Sequence, residues 1–242
     1  IYKYLGWEYP DVRYWGNVQI SGFNAPVSGS SLGRMIEDGE LDGWDDPRAP
    51  TLRALKRRGF QPEAIQNFFV DMGVSENDVE ASIETLESEN SDIVDDEANR
   101  YFFVRNPVEI EVSGLPDNLE VELPVHREHP DRGNRNMSVE IEEGSLKLLI
   151  EEEDLEDGFM RLKGLCNIEL DGDEAVYREG DHRDAIENDA PIIHWLPTDS
   201  DSATVYMPDG SEIEGRVENA EIEVDEVVQF VRFGFVRCEE ED

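Results

Sequence analysis

Arg100-Tyr101-Phe102-Phe103-Val104-Arg105-Asn106-Pro107-Val108-Glu109-Ile110-Glu111-Val112 decides the fold, because the apolar period changes here. Upstream the signals are helical. Pro62 suits a first helical turn, and Ala64, Ile65, Phe68, Phe69 and Met72 recur at helical spacing before Gly73, which predicts a helix that stops there. Ser75-Glu76-Asn77-Asp78 resembles a capping box with Asp in its final place, so a further helix carrying Val79, Ile83 and Leu86 is expected. A shorter helix is predicted over 51–58, closed by Gly59. Downstream come short apolar or alternating runs: Tyr101–Val104, Val108–Val112, Leu119–Val125, Leu146–Ile150, Phe159–Leu170, Ala203–Met207, Ile213–Val217 and Val227–Val236. Asn106-Pro107, Gly114, Pro116, Gly144, Gly172 and Asp209-Gly210 punctuate them, a texture that predicts antiparallel strands in barrels. Asp209-Gly210 reads as a hairpin turn, since the positive φ needed there suits Gly and tolerates Asp. The expected fold is α+β in two parts: an α-helical region over 1–98, then an all-β part of antiparallel strands in barrels over 99–242, which the resemblance below makes two.

Composition narrows the setting. Asp and Glu number 59 against 21 Lys and Arg, a formal charge of -38, and only Lys3, Lys56, Lys147 and Lys163 are lysines. Such self-repulsion destabilises a compact chain in dilute salt, so the acid-rich, lysine-poor surface reads as adaptation to a salt-loaded cytoplasm. Disorder does not suit a chain that is 38% hydrophobic and 9% aromatic in periodic runs. Its 242 residues suit one or two domains with sizeable cores. Cys166 and Cys238 have no ligand spacing and read as reduced intracellular thiols. No apolar run approaches the roughly 18 residues of a membrane span, and no charged-then-apolar leader opens the chain. A soluble, cytoplasmic protein is expected. The chain opens at Ile1 with apolar and aromatic residues through Trp7, as a piece of a longer protein would.

Against this acidity, Gly43-Trp44-Asp45-Asp46-Pro47-Arg48-Ala49-Pro50-Thr51-Leu52-Arg53-Ala54-Leu55-Lys56-Arg57-Arg58-Gly59 stands out, since no acid occurs from Arg48 to Gln61. Arg53, Lys56, Arg57 and Arg58 suit a solvated helix face, or contact with nucleic-acid phosphates, and the local absence of acid favours the second. Trp44 and Pro47 are expected to form a packed corner, with Asp45 or Asp46 positioning Arg48 or capping the next helix. A second cationic island holds His126, Arg127, His129, Arg132 and Arg135. His126-x-x-His129 lacks further ligands, so no metal site is expected. Carboxylates are so numerous that no pair stands out as a hydrolase acid and base.

Five ordered blocks carry a resemblance: Gly43–Gly59; Arg100–Val104 with Asn106-Pro107-Val108; Ile193-His194-Trp195-Leu196-Pro197; Met207-Pro208-Asp209-Gly210; and Val228-Gln229-Phe230-Val231-Arg232-Phe233-Gly234-Phe235-Val236-Arg237. In this order they resemble the class I glutamyl- and glutaminyl-tRNA synthetases, in their archaeal and, given the acidity, haloarchaeal glutamyl form. The resemblance implies the C-terminal half of such an enzyme: the end of the catalytic domain, a helical stem-contact region, and two anticodon-gripping barrels like those of a ribosomal protein family that binds 5S rRNA. It implies an ATP- and magnesium-dependent ligase whose chemistry lies upstream, no cofactor on this part alone, and a monomer. The expected partners are tRNA(Glu) and, archaea lacking the glutaminyl enzyme, tRNA(Gln) too. A glutaminyl-tRNA synthetase fragment and a stand-alone RNA-binding module remain the alternatives.

The resemblance also assigns roles. Gln229 and Arg232 match a Gln-Phe-x-Arg pattern that contacts the anticodon in glutaminyl relatives, although three residues apart they need not share a sheet face. Arg161 and Lys163 alternate to one strand face and, with Arg100, are expected at the anticodon loop or, failing that, in surface ion pairs. Arg48, Arg53, Lys56, Arg57, Arg58 and Arg135 are expected along the tRNA backbone. The family's mobile lysine-bearing ATP loop falls at Val27-Ser28-Gly29-Ser30-Ser31, where both lysines are absent. Ser28, Gly29, Ser30 and Ser31 there contact phosphate with Arg34 as substitute cation, or form only a turn and helix cap.

Overall fold

The computed structural model describes residues 1–73, 75–116, 119, 121–135 and 137–239. These divide into two compact units, residues 1–56 with 60–93, and residues 57–59 with 94–242.

The first unit contains α1 (Tyr2–Leu5), β1 (Val18–Ser21), α2 (Gly29–Glu37), α3 (Leu52–Arg57, whose last residue falls in the other unit), α4 (Pro62–Met72), β2 (Val79–Ser82) and α5 (Ile83–Val94). As its sequence predicts, α4 carries Pro62 in its first turn and ends at Gly73, with φ of 70°. It buries Ala64 and Phe68. Thr51 caps α3, its Oγ1 accepting from the Ala54 N–H at 3.0 Å. Leu55, Phe60, Phe68, Ile83 and Leu86 form one core, and Ala25, Leu32, Leu41, Ala49 and Ala54 a smaller one.

The helix expected to begin at Ser75-Glu76-Asn77-Asp78 does not start there. Val79–Ser82 instead pairs in parallel with Val18–Ser21, and the helix begins at Ile83. Ser75 Oγ accepts from the Asn77 N–H and Asp78 Oδ1 from the Asn17 N–H, so these side chains shape a loop. A strand partner some sixty residues away, invisible to any local window, overrides the local capping pattern.

The second unit is built from strands, namely β3 (Arg100–Tyr101), β4 (Phe103–Arg105), β5 (Pro107–Ser113), β6 (Leu123–Pro124), β7 (Asn134–Arg135), β8 (Ser145–Glu151), β9 (Gly158–Leu162), β10 (Asn167–Asp171) and β11 (Glu174–Arg178). After α6 (His182–Glu187) come β12 (Ile192–Ile193), β13 (Leu196–Pro197), β14 (Asp201–Tyr206), β15 (Glu212–Val217), β16 (Val227–Phe230) and β17 (Gly234–Arg237). β5 and β8 pair antiparallel along seven residues, burying Ile110, Val112, Leu146, Leu148 and Ile150 while Glu109, Glu111 and Lys147 face outward. The run Phe159–Leu170 resolves into the β9–β10 hairpin, and Val227–Val236 into β16–β17. Residue 120 of the expected strand Leu119–Val125 and residues 240–242 of the acidic tail lie outside the described residues; of the former only Leu123–Pro124 is strand.

The two antiparallel barrels are not what forms. A seven-stranded sheet runs β12-β9-β10-β11-β5-β8-β13, beside three-stranded sheets β14-β15-β4 and β17-β16-β3, and none closes on itself among the described residues. β11–β5, β12–β9 and β16–β3 are parallel ladders. Alternation shows which face of a strand is buried, whereas closure needs tilt and register shared by all strands, which no single strand encodes. The fold is mixed α and β with open sheets. The Met207–Ser211 hairpin uses one left-handed residue, Gly210 at φ 86°, with Asp209 Oδ1 accepting from the Ser211 N–H at 2.8 Å. No helix among the described residues is long and apolar enough to cross a membrane.

Candidate nucleic-acid interface

Four of the five expected anticodon residues, Gln229, Arg232, Lys163 and Arg100, lie on or beside short elements of the second unit. Gln229 lies mid-β16, opposite Phe235 on β17 and Arg100 on the parallel strand β3. Its backbone N–H donates to the Asn99 carbonyl at 2.8 Å, leaving the half-buried side chain to act. Arg100 donates through Nη2 to Asp95 at 2.8 Å. Arg232 stands at the tip of the β16–β17 turn with φ of 68° and grips Asp154 through Nη1 at 2.6 Å and Nη2 at 2.8 Å. The turn solves the spacing problem: β16 ends at Phe230, so Gln229 and Arg232 need not obey strand alternation.

Lys163 joins this group. Burial first, then the charges of Arg135, Arg127, Arg100 and Arg232, hold its ammonium below its ordinary pKa. Its Nζ lies 5.9 Å from the Phe102 ring centroid, and Arg135 lies over the same ring at 4.9 Å. In a chain of charge -38, four arginines whose charge reaches one lysine stand out, and three of them, Arg100, Arg135 and Arg232, each face a carboxylate, Asp95, Glu218 and Asp154.

Arg161 does not accompany Lys163. β9 ends at Leu162, Lys163 enters the turn containing Gly164, and the expected shared face is lost. Arg161 instead donates to buried Asn167 at 2.8 Å, and Asn167 in turn donates to the Asp181 carbonyl at the start of α6. Arg135 is also unlike its expectation. Its side chain is 8% exposed and ion-paired to Glu218, which also accepts from the Phe102 N–H at 2.6 Å. Burial takes it away from surface phosphates and makes it a support for Phe102.

The resemblance assigns no role to His194, which lies in the block Ile193–Pro197. It is buried, stacks on Phe102 with centroids 4.5 Å apart, and its pKa is pushed down to about 3 by burial and by Lys163, Arg232 and Arg135. It is therefore neutral at physiological pH. His194 Nδ1, Arg100 Nε and Arg135 Nε are buried without hydrogen-bond partners among the described residues. A lone polar residue inside the apolar run Ile192–Leu196 is the signal that marks His194. Nothing in the linear pattern singles out Asp154 or Glu218 from 59 acids.

The basic block divides by burial. Arg53 and Lys56 are exposed on α3 without an ion pair among the described residues. Arg57 pairs with Glu239 at 2.6 Å and lies 5.9 Å from the Tyr206 ring, while Arg58 is half-buried. Arg48 is clamped by Asp46, whose oxygens accept from Arg48 Nε at 2.9 Å, Arg48 Nη2 at 2.6 Å and the Asp42 and Arg48 backbone N–H groups at 3.0 Å. Those bonds, Arg48's side chain foremost, lower the Asp46 pKa to about 2. Asp46, buried at 1% exposure, is the centre of this corner, and Trp44 at 42% is not.

Ser28 precedes the first turn of α2, with its Oγ 3.1 Å from Ser30 Oγ, and Gly29, Ser30 and Ser31 open the helix. Arg34 is exposed near its end. With no lysine or arginine in residues 27–31 and two hydroxyls turned to each other, this loop does not fit an ATP triphosphate by itself. No group of three or more His, Cys, Asp or Glu among the described residues has metal-holding geometry, His126 and His129 included. His126 Nε2 lies 2.7 Å from the Asp95 carbonyl, and its Nδ1 accepts from the Glu128 N–H. The arrangement is one of fixed donors and aromatic planes, suited to binding.

Two family models match in succession: tRNA synthetases class I (E and Q), catalytic domain, over residues 1–96, and tRNA synthetases class I (E and Q), anti-codon binding domain, over residues 98–184. Among relatives, the glutamate–tRNA ligase of Archaeoglobus fulgidus is 43% identical over 246 residues, covering 100% of this chain and 43% of the relative. Those of Methanosarcina mazei and Methanococcoides burtonii are 43% and 45% identical, each covering 100% of this chain and 42% of the relative. The chain thus spans less than half the length of the relatives it matches. Matched by consecutive domain models of one family, and along its whole length by these ligases, the chain belongs to the class I glutamyl- and glutaminyl-tRNA synthetase family.

Proposed function

We propose that this chain is the tRNA-gripping part of a glutamate–tRNA ligase, which joins glutamate to tRNA(Glu), and to tRNA(Gln), with ATP and magnesium used elsewhere in the enzyme. The second unit reads the anticodon through Gln229, Arg232, Lys163 and Arg100, and α3 approaches stem phosphates with Arg53 and Lys56. The observation that carries this reading is the cation cluster at Gln229: Arg100 is its register partner, and Arg100 and Arg232 both bear on Lys163 within an otherwise acidic chain. Such a site meets the needs of splayed single-stranded bases, which are read by rigid donors and stacked on planar groups. The ligases of this length-wise similarity favour glutamate over the glutaminyl alternative. A stand-alone RNA-binding module is disfavoured by the catalytic-domain match over residues 1–96. The enzyme works as a monomer in a salt-loaded cytoplasm.

Binding of the chain to tRNA(Glu), tRNA(Gln) and an unrelated tRNA in about 2 M KCl, where purely electrostatic association is suppressed, tests the proposal. Tight, anticodon-dependent binding of the first two is expected. Equal binding of all three overturns it.

A further inference from the structure

We infer that Asp154 is a positioning residue for Arg232, holding its guanidinium end-on so that it meets a nucleobase of single-stranded RNA rather than a phosphate. The inference rests on the proposed reading of Arg232 as an RNA contact. Three features lead to it.

The first is the geometry of the pair. Asp154 Oδ2 and Oδ1 accept from Nη1 and Nη2 at 2.6 and 2.8 Å, which occupies the end of the fork and leaves the Nε–H edge and both flat faces to be presented. The carboxylate is the inner partner, its side chain 10% exposed against 40% for Arg232. The second is backbone conformation. Arg232 has a left-handed φ of 68°, shared among non-glycine residues only with Asn106, Glu143, Asp189 and Asp225 among the described residues. A long side chain held there implies surroundings that over-determine it, and the two-point grip from an element 78 residues away supplies that constraint.

The third feature is local charge. The Arg232–Asp154 pair is neutral, and Glu151 and Glu153 also act on Arg232. Both of those acids face Arg105, at 3.1 and 3.3 Å, so this corner carries two arginines against three carboxylates. A phosphate approaching Arg232 itself meets a guanidinium whose charge is already matched, Lys163 being the neighbouring cation left to attract it. A base gains stacking on a preset plane, or a hydrogen bond from Nε, and neither is abolished when molar salt shortens the Debye length to about 3 Å.

The test uses the whole chain, wild type and the variants D154N, D154E and R232A. The probes are a tRNA(Glu) transcript and the same transcript with its anticodon loop replaced, titrated across a KCl series. D154N is expected to weaken tRNA(Glu) binding about fivefold at high salt, the cost of immobilising a freed side chain on binding. It is also expected to steepen the plot of log K against log [KCl] by about 0.7, because an unclamped Arg232 takes a phosphate. D154E, which keeps the charge, should recover part of the affinity. Thermal melting of D154N and D154E against wild type in the same buffers separates positioning from mere stability: a binding loss in D154N larger than its loss of melting temperature can explain is a positioning effect. If D154N binds as tightly as wild type, or more tightly, the inference is overturned while the R232A defect leaves the anticodon reading standing. If R232A itself binds normally, that reading of Arg232 fails and the inference with it.

Discussion

Lowering the pH from about 7.5 to about 5.5 should destabilise the second unit through His194. In the fold its pKa is about 3, because burial and then the charges of Lys163, Arg232 and Arg135 disfavour the imidazolium; unfolded, it returns to about 6.5. The folded value is the depressed one, so the stabilisation is complete above pH 6.5 and is lost progressively as pH falls towards the folded value, where the unfolded chain holds the extra proton. At about 1.4 kcal/mol per pH unit, the loss by pH 5.5 is about 1.4 kcal/mol. The window stops there because carboxylates begin to titrate below it. Urea unfolding at fixed KCl, followed across this range, measures the loss. His194→Phe keeps a ring against Phe102 and removes the His194 titration. Subtracting the variant should therefore leave the His194 slope alone. Parallel pH profiles for the two proteins would refute the reasoning.

Removing the carboxylate in Glu218→Ala strands Arg135 in the interior and takes the acceptor from the Phe102 N–H, so a loss of about 3–5 kcal/mol is expected in urea unfolding, with Glu218→Gln costing less. Asp46 has its folded pKa depressed to about 2, so its contribution of about 2 kcal/mol is present above pH 4 and should vanish between about pH 4 and pH 2; Asp46→Asn should flatten that acid limb in a thermal-melt series. At molar KCl, Gln229→Ala and Arg232→Ala should each weaken tRNA binding about tenfold, and Lys56→Ala by less than twofold, because phosphate contacts fade with salt and base contacts do not. Equal effects in a filter-binding titration would contradict that division.

Local sequence chemistry foretold the elements that local sequence controls. Pro62 and Gly73 bracket α4, Thr51 and Gly59 bracket α3, and the strict alternation of Val108, Ile110 and Val112 against Glu109 and Glu111 carries β5. What was not legible depends on distance. The β1–β2 pair joins Val18 to Val79, and that partnership turned an apparent helix start into a strand. Openness of the sheets is likewise a property of all the strands together. α6 escaped notice because it has six residues and buries only Ala185, although Asp181 and Asp184 form its capping box. For the proposed site, the Gln-Phe-x-Arg pattern points to Gln229 and Arg232 and a weaker alignment to Arg161, Lys163 and Arg100, of which Arg161 turns to Asn167 instead. Motif matching is blind to their supports, since an acid such as Asp154 is indistinguishable in sequence from its many neighbours. Arg135 is illegible for a related reason: a cation in a run of cations reads as surface, whereas here it is buried against Glu218.

Under the proposed function, those supports bear on how an acidic protein holds a polyanion. Arg48, Arg105, Arg135 and Arg232 each sit against a carboxylate whose side chain is at most 10% exposed, while the arginine ends of three of these pairs remain 31–40% exposed. The carboxylates fix the planes from within and cancel much of their charge. Long-range attraction for polyanionic RNA is thereby given up, but at molar salt it would be screened beyond about 3 Å in any case. What survives screening is contact: stacking and hydrogen bonds from groups already in place, with no rotamer freedom left to lose. Lys163 is the complement. The leading charges acting on it are all cations, its nitrogen lies over an aromatic ring, and no ion pair holds it among the described residues. The proposed site thus joins a salt-sensitive charge to a salt-tolerant plane, and the ratio of their contributions to tRNA binding should shift towards Arg232 as KCl rises.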